Sequence, residues 1–482
     1  MGNAAGATNA GLAKNSLGLA HIVFFVVAAA APLTAVVGSS PAAFALGNGA
    51  GVPGAFMVAG LLYLVFSVGF TAMSRHVGGA GGFYVFISSG LGSAVGIGGA
   101  FLALVTYSAV QIAVYALLGV FARDAMAPFA GDLPWYGWSL IGLFLVLLCG
   151  QRNIAVSGHI LGACMTAEIA ILLLLDLAII RHGGGPQGLT MVSFAPRVVF
   201  GPGLGVALVF VLGSYIGFES AVIFGEEARN PDKTIRRATF VAVVLITGFY
   251  AFSTWAIAQY FGPDHVRAAA ADHPDQLFFI AAQAMLGNWA VRLMNGLLII
   301  SLLACSLSLH STLCRYLFAL GREGLLWGRL GHVHATHGSP QVAGAIQSLT
   351  AALIVAIFAL SGADPYRLVF SWMSALAVLG ILMVQALVCL AIIAFFRRPG
   401  GYRPHPVIGQ VAPVVSLLGL LGAMVLVIVN LPLLASTDNP LIRLFPLVLV
   451  LVLGAGMAFA RRLRASDPRR YEKLGRAFGD LA

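Results

Sequence analysis

Residues 213–220 read Gly213-Ser214-Tyr215-Ile216-Gly217-Phe218-Glu219-Ser220, and they interrupt an apolar run over 204–225. The two glycines lower the cost of leaving a helix, and a carboxyl follows at once. In lipid, freed backbone is tolerated only where it lines a cavity or is buried in protein. The earliest apolar run, 20–46, is interrupted too, by Ala31-Pro32-Leu33-Thr34 at mid-depth and then Gly38-Ser39-Ser40-Pro41. Proline removes a backbone donor and clashes with the preceding turn. For either site alone, a plain kink with close-packing glycines is an equal alternative. Breaks in the first and sixth runs, the same position in two groups of five, point to an inverted-repeat transporter with a midplane site.

The rest of the chain fits a membrane setting. Of 482 residues, 60% are hydrophobic and 9% charged, whereas soluble domains carry roughly 45–50% apolar and about 25% charged residues. A spanning helix needs about 20 apolar residues. Spans are expected near 20–46, 54–74, 93–121, 135–150, 154–180, 204–225, 237–261, 288–318, 342–361, 366–395, 410–434 and 440–460. These twelve form a single transmembrane domain over 1–460, with a basic tail at 461–482. The longest loops are 181–203 and 262–287, the second with a short helix around Pro274–Leu286. The first run is read as an uncleaved span rather than a signal peptide. The five cysteines lie in apolar runs without metal-ligand spacing and read as packing residues.

Charge sets the orientation. Of 27 Lys and Arg, seven fall on one side: Arg123, Arg181, Arg197, Arg267, Arg292, Arg367 and Arg443. The remaining 20 fall on the other side, expected to be cytoplasmic with both termini. The localisation expected is the inner (cytoplasmic) membrane. Basic residues at span ends call for lipid headgroups as partner, not nucleic acid.

Three motifs carry a resemblance. The sixth break continues into Glu226-Glu227-Ala228-Arg229-Asn230-Pro231-Asp232-Lys233-Thr234-Ile235-Arg236-Arg237-Ala238. Gly79-Ala80-Gly81-Gly82-Phe83-Tyr84 precedes the third span, and Arg315-Tyr316-Leu317-Phe318-Ala319-Leu320-Gly321-Arg322-Glu323-Gly324 ends the eighth. Together they resemble the bacterial amino acid permeases of the amino acid–polyamine–organocation (APC) superfamily, across spans one to ten. The resemblance implies an all-α, LeuT-like (APC) fold of about twelve helices, with helices 1 and 6 discontinuous. It implies a 5+5 inverted repeat, repeat one at 18–181 and repeat two at 203–396, with accessory helices at 410–460. Secondary active transport of an amino acid or amine by alternating access follows from the same resemblance. The first break departs from the family's glycine run, reading Ala-Pro-Leu-Thr-Ala-Val-Val-Gly, and proline donates no N–H.

A zwitterion needs donors for its carboxylate and acceptors for its ammonium, which broken helix ends supply. Candidate substrate-binding positions are the backbone at Pro32, Leu33, Thr34, Ala35 and Val36, with Tyr215 and Ile216 opposite. Phe218 is either an apolar lid or a packing aromatic. Gly213, where some relatives place a bulky aromatic, leaves room for a substrate side chain or a neighbouring helix. Tyr107, Gln111 and Tyr115 recur at i, i+4, i+8 and face either the pocket or an interhelical hydrogen bond. Ionisable groups within a membrane are functional by default, so Glu168 and Glu219 are proton-coupling candidates, a structural Glu168 being the alternative. Asp176 is expected to be solvated near the external surface. His159 and His310 read as packing histidines.

The coupling ion expected is H+, with no cofactor. A sodium site would draw on Ser311 and Thr312, with Ser306 and Ser308, though such hydroxyls ordinarily bond their own backbone. Glu227, Arg229 and Arg322, with Glu226 and Glu323, form either a cytoplasmic gate or a solvated loop face. No HExxH, paired aspartates or metal set appears, so an enzyme is not expected. Proton-coupled amino acid uptake is the leading expectation; an amino acid/amine exchanger or polyamine transporter is the rival. A membrane sensor or embedded enzyme is the reading from another class.

Overall fold

A computed structural model describes residues 18–77, 82–130, 133–151, 158–226, 228–322, 324–332, 339–399, 402, 404–434, 440–468 and 471. All elements among them are helical, and eleven stretches are long and apolar enough to cross a membrane. The first span consists of α1 (Leu19–Ala29), a π-helical turn (Thr34–Ser39) and α2 (Ser40–Leu46). The second is α3 (Val52–Met73). A short apolar helix, α4 (Gly82–Leu91), precedes the third span, α5 (Ser93–Ala130), which starts at the expected position. The fourth, α6 (Trp135–Gln151), has 17 residues, the lower end of spanning length, roughly 17–25. Counting it brings the total to the twelve expected.

The fifth span is α7 (Gly158–Arg181). After the short α8 (Pro196–Val199), the sixth runs as α9 (Leu204–Gly213), turns over 214–217, and resumes as a 3-10 helix (Phe218–Glu226). The seventh is α10 (Pro231–Phe261). The next loop holds two helices rather than one, α11 (Val266–Asp272) and α12 (Leu277–Leu286). Then follow α13 (Asn288–Arg322), α14 (Gln341–Leu360), α15 (Ser371–Phe396), α16 (Ala412–Leu434) and α17 (Phe445–Ser466). The last helix runs beyond the expected limit of 460, and residues 472–482 of the tail lie outside the described residues. So do Gly79, Ala80 and Gly81.

Each break has a local cause. Pro32 disfavours right-handed helix at the residue before it, and Ala31 adopts φ +46°. Pro32 then opens the second half of the span, a position where its missing N–H costs nothing. In the sixth span Gly217 has φ +114°, outside the range of ordinary residues. A Cβ built there would lie 3.0 Å from the Ala29 carbonyl oxygen and 3.2 Å from its carbon. The two interrupted spans therefore meet backbone against backbone.

Close approach recurs among the intact helices. A Cβ at Gly60 of α3 would stand 2.2 Å from Thr247 Oγ1 of α10, and one at Gly380 of α15 2.1 Å from Thr106 Oγ1 of α5. Small residues at such crossings let apolar helices pack by dispersion where lipid supplies no hydrophobic drive. The outer helices α16 and α17 direct Leu418, Val429 and Leu451 outward, each at least 60% exposed, as a lipid-facing surface requires.

Gly217→Ala is expected to cost on the order of 2 kcal/mol or more, from left-handed backbone and overpacking. Thermal unfolding in detergent should show a lowered midpoint. An unchanged midpoint would mean that the contact with Ala29 yields freely.

Candidate functional site

The geometry begins at the helix ends that the breaks expose. At the end of α1, Ala30 and Ala31 donate their amides back to Val26 and Ala28 at 3.2 and 3.1 Å. The Ala30 carbonyl accepts from Tyr250 Oη of α10 at 2.9 Å. Past Pro32, the Leu33 amide donates to Glu168 Oε2 of α7 at 3.4 Å, and Ala35 donates to the Ala31 carbonyl at 2.9 Å. Glu168 also accepts from Ser301 Oγ of α13 at 3.1 Å, and Thr34 Oγ1 donates to Ser301 at 3.3 Å. The carboxyl of Glu168, 4% exposed, thus ties the first break to α7 and α13.

At the sixth break the chain stays ordered by tight turns. Tyr215 and Ile216 donate to Leu212 and Gly213, and Phe218 donates to Tyr215, all at 3.1 Å. Glu219 folds back so that Oε2 accepts the Gly217 amide at 2.9 Å, while Oε1 accepts Tyr107 Oη at 2.9 Å. A carboxylate over the first amides of a helical segment is electrostatically favourable there.

Between the breaks lies a cavity of about 480 Å³. Ala29–Ala31, Thr34 and Ala35 form one wall, and Gly213, Ser214, Ile216, Gly217 and Glu219 face them. Val114, Val209, Phe210, Phe370 and Val378 make an apolar wall, with Phe210 and Phe370 stacked at 5.5 Å. On α13, Cys305, Ser308, Thr312 and Arg315 line the cavity at successive steps of three and four residues. That face passes from buried Ser301 to exposed Ser308 and Arg315, so the cavity opens toward the Arg315 end. Glu219, from the sixth break, and Arg315, from α13, are the carboxylate and the guanidinium among the described residues lining the cavity. The arrangement offers backbone dipoles and charge at the breaks, beside a pocket shaped for an apolar group.

The expected positions divide. Thr34, Ala35, Gly213, Ile216, Glu219, Tyr107 and Thr312 line the cavity. Pro32, Leu33 and Val36 are not among its lining residues, Leu33 reaching Glu168 instead. Tyr215 turns away, its hydroxyl lying at hydrogen-bonding distance, 2.9 Å, from both the Phe56 carbonyl and Thr247 Oγ1. Phe218 is fully buried against Tyr63 and Phe66, ring centroids 4.8 and 5.9 Å away. Its placement is that of a packing aromatic.

The α5 stripe splits likewise. Gln111 Nε2 donates to the Ser306 carbonyl at 3.3 Å and to Tyr115 Oη at 3.4 Å, and its Oε1 accepts from Gln347 of α14. Gln347 in turn meets His310 Nδ1 at 2.6 Å, so Gln111, Tyr115 and His310 join α5, α13 and α14 away from the cavity. Ser311 is half-buried outside the cavity, and Thr312 donates to its own backbone at Ser308. Asp176 is not solvated: it is 1% exposed, because α10 covers it and Ser253 Oγ donates to Oδ2 at 2.6 Å. Arg229 and Arg322 are exposed, and Arg322 stands 5.9 Å over the Phe318 ring. Glu227 and Glu323 lie outside the described residues, as do the side chains of Glu226 and His159. Ser301 was not anticipated, although it continues the helical stripe 305, 308, 312 that the sequence displays.

Comparison with known proteins agrees with this architecture. The pattern of the family described as amino acid permease matches residues 10–453. The chain is 29% identical over 150 residues to the branched-chain amino acid permease BcaP of Bacillus subtilis (strain 168), 31% of either chain. It is 23% identical over 277 residues to the serine/threonine exchanger SteT of the same organism, 48% of this chain and 62% of that one. It is 26% identical over 227 residues to the L-methionine/branched-chain amino acid exporter YjeH of Escherichia coli (strain K12), 46% of this chain and 53% of that one. The chain thus spans less than two thirds of the length of each relative. With the family's pattern extending over nearly the whole of this many-span, twice-broken helical chain, the protein belongs to the amino acid permease family of the APC superfamily.

Proposed function

We propose that the protein is a secondary active transporter that takes up an amino acid with an apolar side chain, together with a proton, by alternating access. The observation that carries this reading is the cavity between the two breaks, polar at the backbone ends and apolar along Val209, Phe210, Phe370 and Val378. The names of BcaP and YjeH both include branched-chain amino acids, in keeping with such a wall. In this reading the substrate carboxylate and ammonium engage the interrupted backbone, and the side chain lies near Gly213. The repeats 18–181 and 203–396 frame the site, with 410–460 outside it. If the basic end is cytoplasmic, the cavity is open inward.

Glu168 is the proton carrier in this scheme. Among the described residues it makes no ion pair, so its ionised form would be a buried charge held by two donors only. Uncompensated buried charge costs several kcal/mol. Ionised, it accepts from Leu33 and Ser301 together; with a proton, it loses part of that accepting capacity. Binding a proton therefore changes how firmly the second half of the first span is tied to α13. Glu219 already accepts from Gly217 and Tyr107, and its role in this scheme is to hold the sixth break.

In liposomes, an imposed proton gradient should drive accumulation of leucine, isoleucine, valine or methionine. Glu168→Gln should lower that accumulation at least 10-fold. No uptake or exchange of any amino acid or polyamine would end the transport reading, and accumulation that survives the substitution would remove Glu168 from coupling. At Gly213 a Cβ would meet Val378 at 3.4 Å, ordinary contact, so a larger side chain would project into the cavity. Gly213→Leu should raise the KM for leucine roughly 10-fold relative to alanine, the scale of a few methylenes in an apolar pocket. Equal effects on both substrates would place the substrate side chain elsewhere.

A further inference from the structure

Asp176 is buried, makes no salt bridge among the described residues, and is not among the residues lining the cavity. It lies eight residues beyond Glu168 on α7, about 12 Å along the axis at 1.5 Å per residue. That places it toward the end opposite the cavity mouth. Ser253 of α10 donates to Oδ2, whereas Oδ1 is buried with no hydrogen-bond partner. One turn before Ser253 on the same helix, Tyr250 donates to the Ala30 carbonyl at the first break. Ser253 and Tyr250, one turn apart on α10, thus bond Asp176 and the first break respectively, so one helix touches both Asp176 and the segment that Glu168 holds through Leu33.

Among the described residues, the helices packed against α7 place no compensating charge beside Asp176. On α10 the facing titratable group is Tyr250; α12 carries none; α13 contributes exposed Arg292 at its start and Cys305 at the level of Glu168. α1 carries His21 at the far end, and α7 itself carries Glu168 and exposed Arg181. A carboxyl here with one donor and one idle oxygen is stable only while it holds a proton, or while water reaches Oδ1. A purely structural acid would be expected to use both oxygens, as Glu219 does.

We propose that Asp176 is a second proton-exchanging site of the transport cycle, loaded from the closed end of the cavity and acting in series with Glu168. This rests on the proton-coupled reading given above. The proton arrives on Asp176 as α7 and α10 part at Ser253, and it leaves toward the break as they close. No bond other than O–H forms or breaks.

The test compares wild type, Asp176→Asn, Asp176→Glu and Glu168→Gln in proteoliposomes, reading proton-driven accumulation, substrate exchange at equal pH, and the thermal midpoint. Asp176→Asn should lose at least 10-fold in accumulation, keep exchange within about 3-fold of wild type, and unfold at the wild-type temperature. Asp176→Glu should recover most of the accumulation. Full accumulation by Asp176→Asn beside a defective Glu168→Gln would overturn the Asp176 role alone. Joint loss of accumulation, exchange and thermal stability in Asp176→Asn would make Asp176 a structural acid. Wild type that ignores a proton gradient would overturn the coupling reading and Asp176 with it.

Discussion

The Ala29–Gly217 contact is the constraint on which the other features depend. Two membrane helices stop at mid-depth, and the backbone of one lies so close to that of the other that a Cβ built on Gly217 would come within 3.0 Å of the Ala29 carbonyl oxygen. Only glycine permits that approach at φ +114°. The contact hides polar backbone that lipid could not satisfy, and it brings the end of α1 and the start of the 3-10 segment to opposite sides of one cavity. Tyr250 and Glu219 complete the arrangement by pairing with Ala30 and Gly217. The breaks are therefore braced irregularities, held by the neighbouring helices α5, α7 and α10.

That support divides the buried polar groups into two sets. Glu168, Ser301, Thr34, Tyr107 and Glu219 surround the breaks. Gln111, Tyr115, Gln347 and His310 join α5, α13 and α14 at a distance from them. The second set bonds among its own members and to the Ser306 carbonyl and has no side chain in the cavity wall, which suits a rigid frame. The first set leans on interrupted backbone, where a small displacement alters who pairs with whom.

The breaks were legible in the sequence because proline and glycine act locally: Pro32 constrains Ala31, and Gly217 adopts a backbone angle closed to other residues. The family pattern at Gly217-Phe218-Glu219-Ser220 carried the topology. What the sequence could not show was side-chain direction near a break. Tyr215 and Phe218 follow turns and a 3-10 segment, so α-helical phase does not apply to them, and both turn inward to aromatic neighbours. The α5 stripe failed for a simpler reason. Each step of four residues advances the helix by about 40° beyond a full turn, so Tyr115 lies about 80° around from Tyr107. Tyr107 meets Glu219, while Gln111 and Tyr115 meet α13 and α14. Asp176 was misjudged because nearness to a helix end says nothing about α10 lying across it.

The two sets meet on α13, and that makes coupling a geometric matter. Ser301, Cys305, Ser308, Thr312 and Arg315 share one face of a single unbroken helix. Ser301 holds Glu168 at one end of the stripe, and Arg315 stands at the cavity mouth at the other. On its far side the same helix accepts Gln111 at Ser306 and carries His310. Such anchoring suits a helix that stays with the frame, so in the proposed cycle it is the first span that moves relative to it. Any such movement lengthens or shortens the contacts of Thr34 and Leu33 with Ser301 and Glu168, and it simultaneously changes the cavity wall opposite Ser308 and Thr312. In the proposed cycle the proton on Glu168 and the opening of the cavity are two readings of one displacement. A charge located elsewhere on α7 could not report on the break directly. It would have to act through α10, the helix that holds Ala30 and covers Asp176.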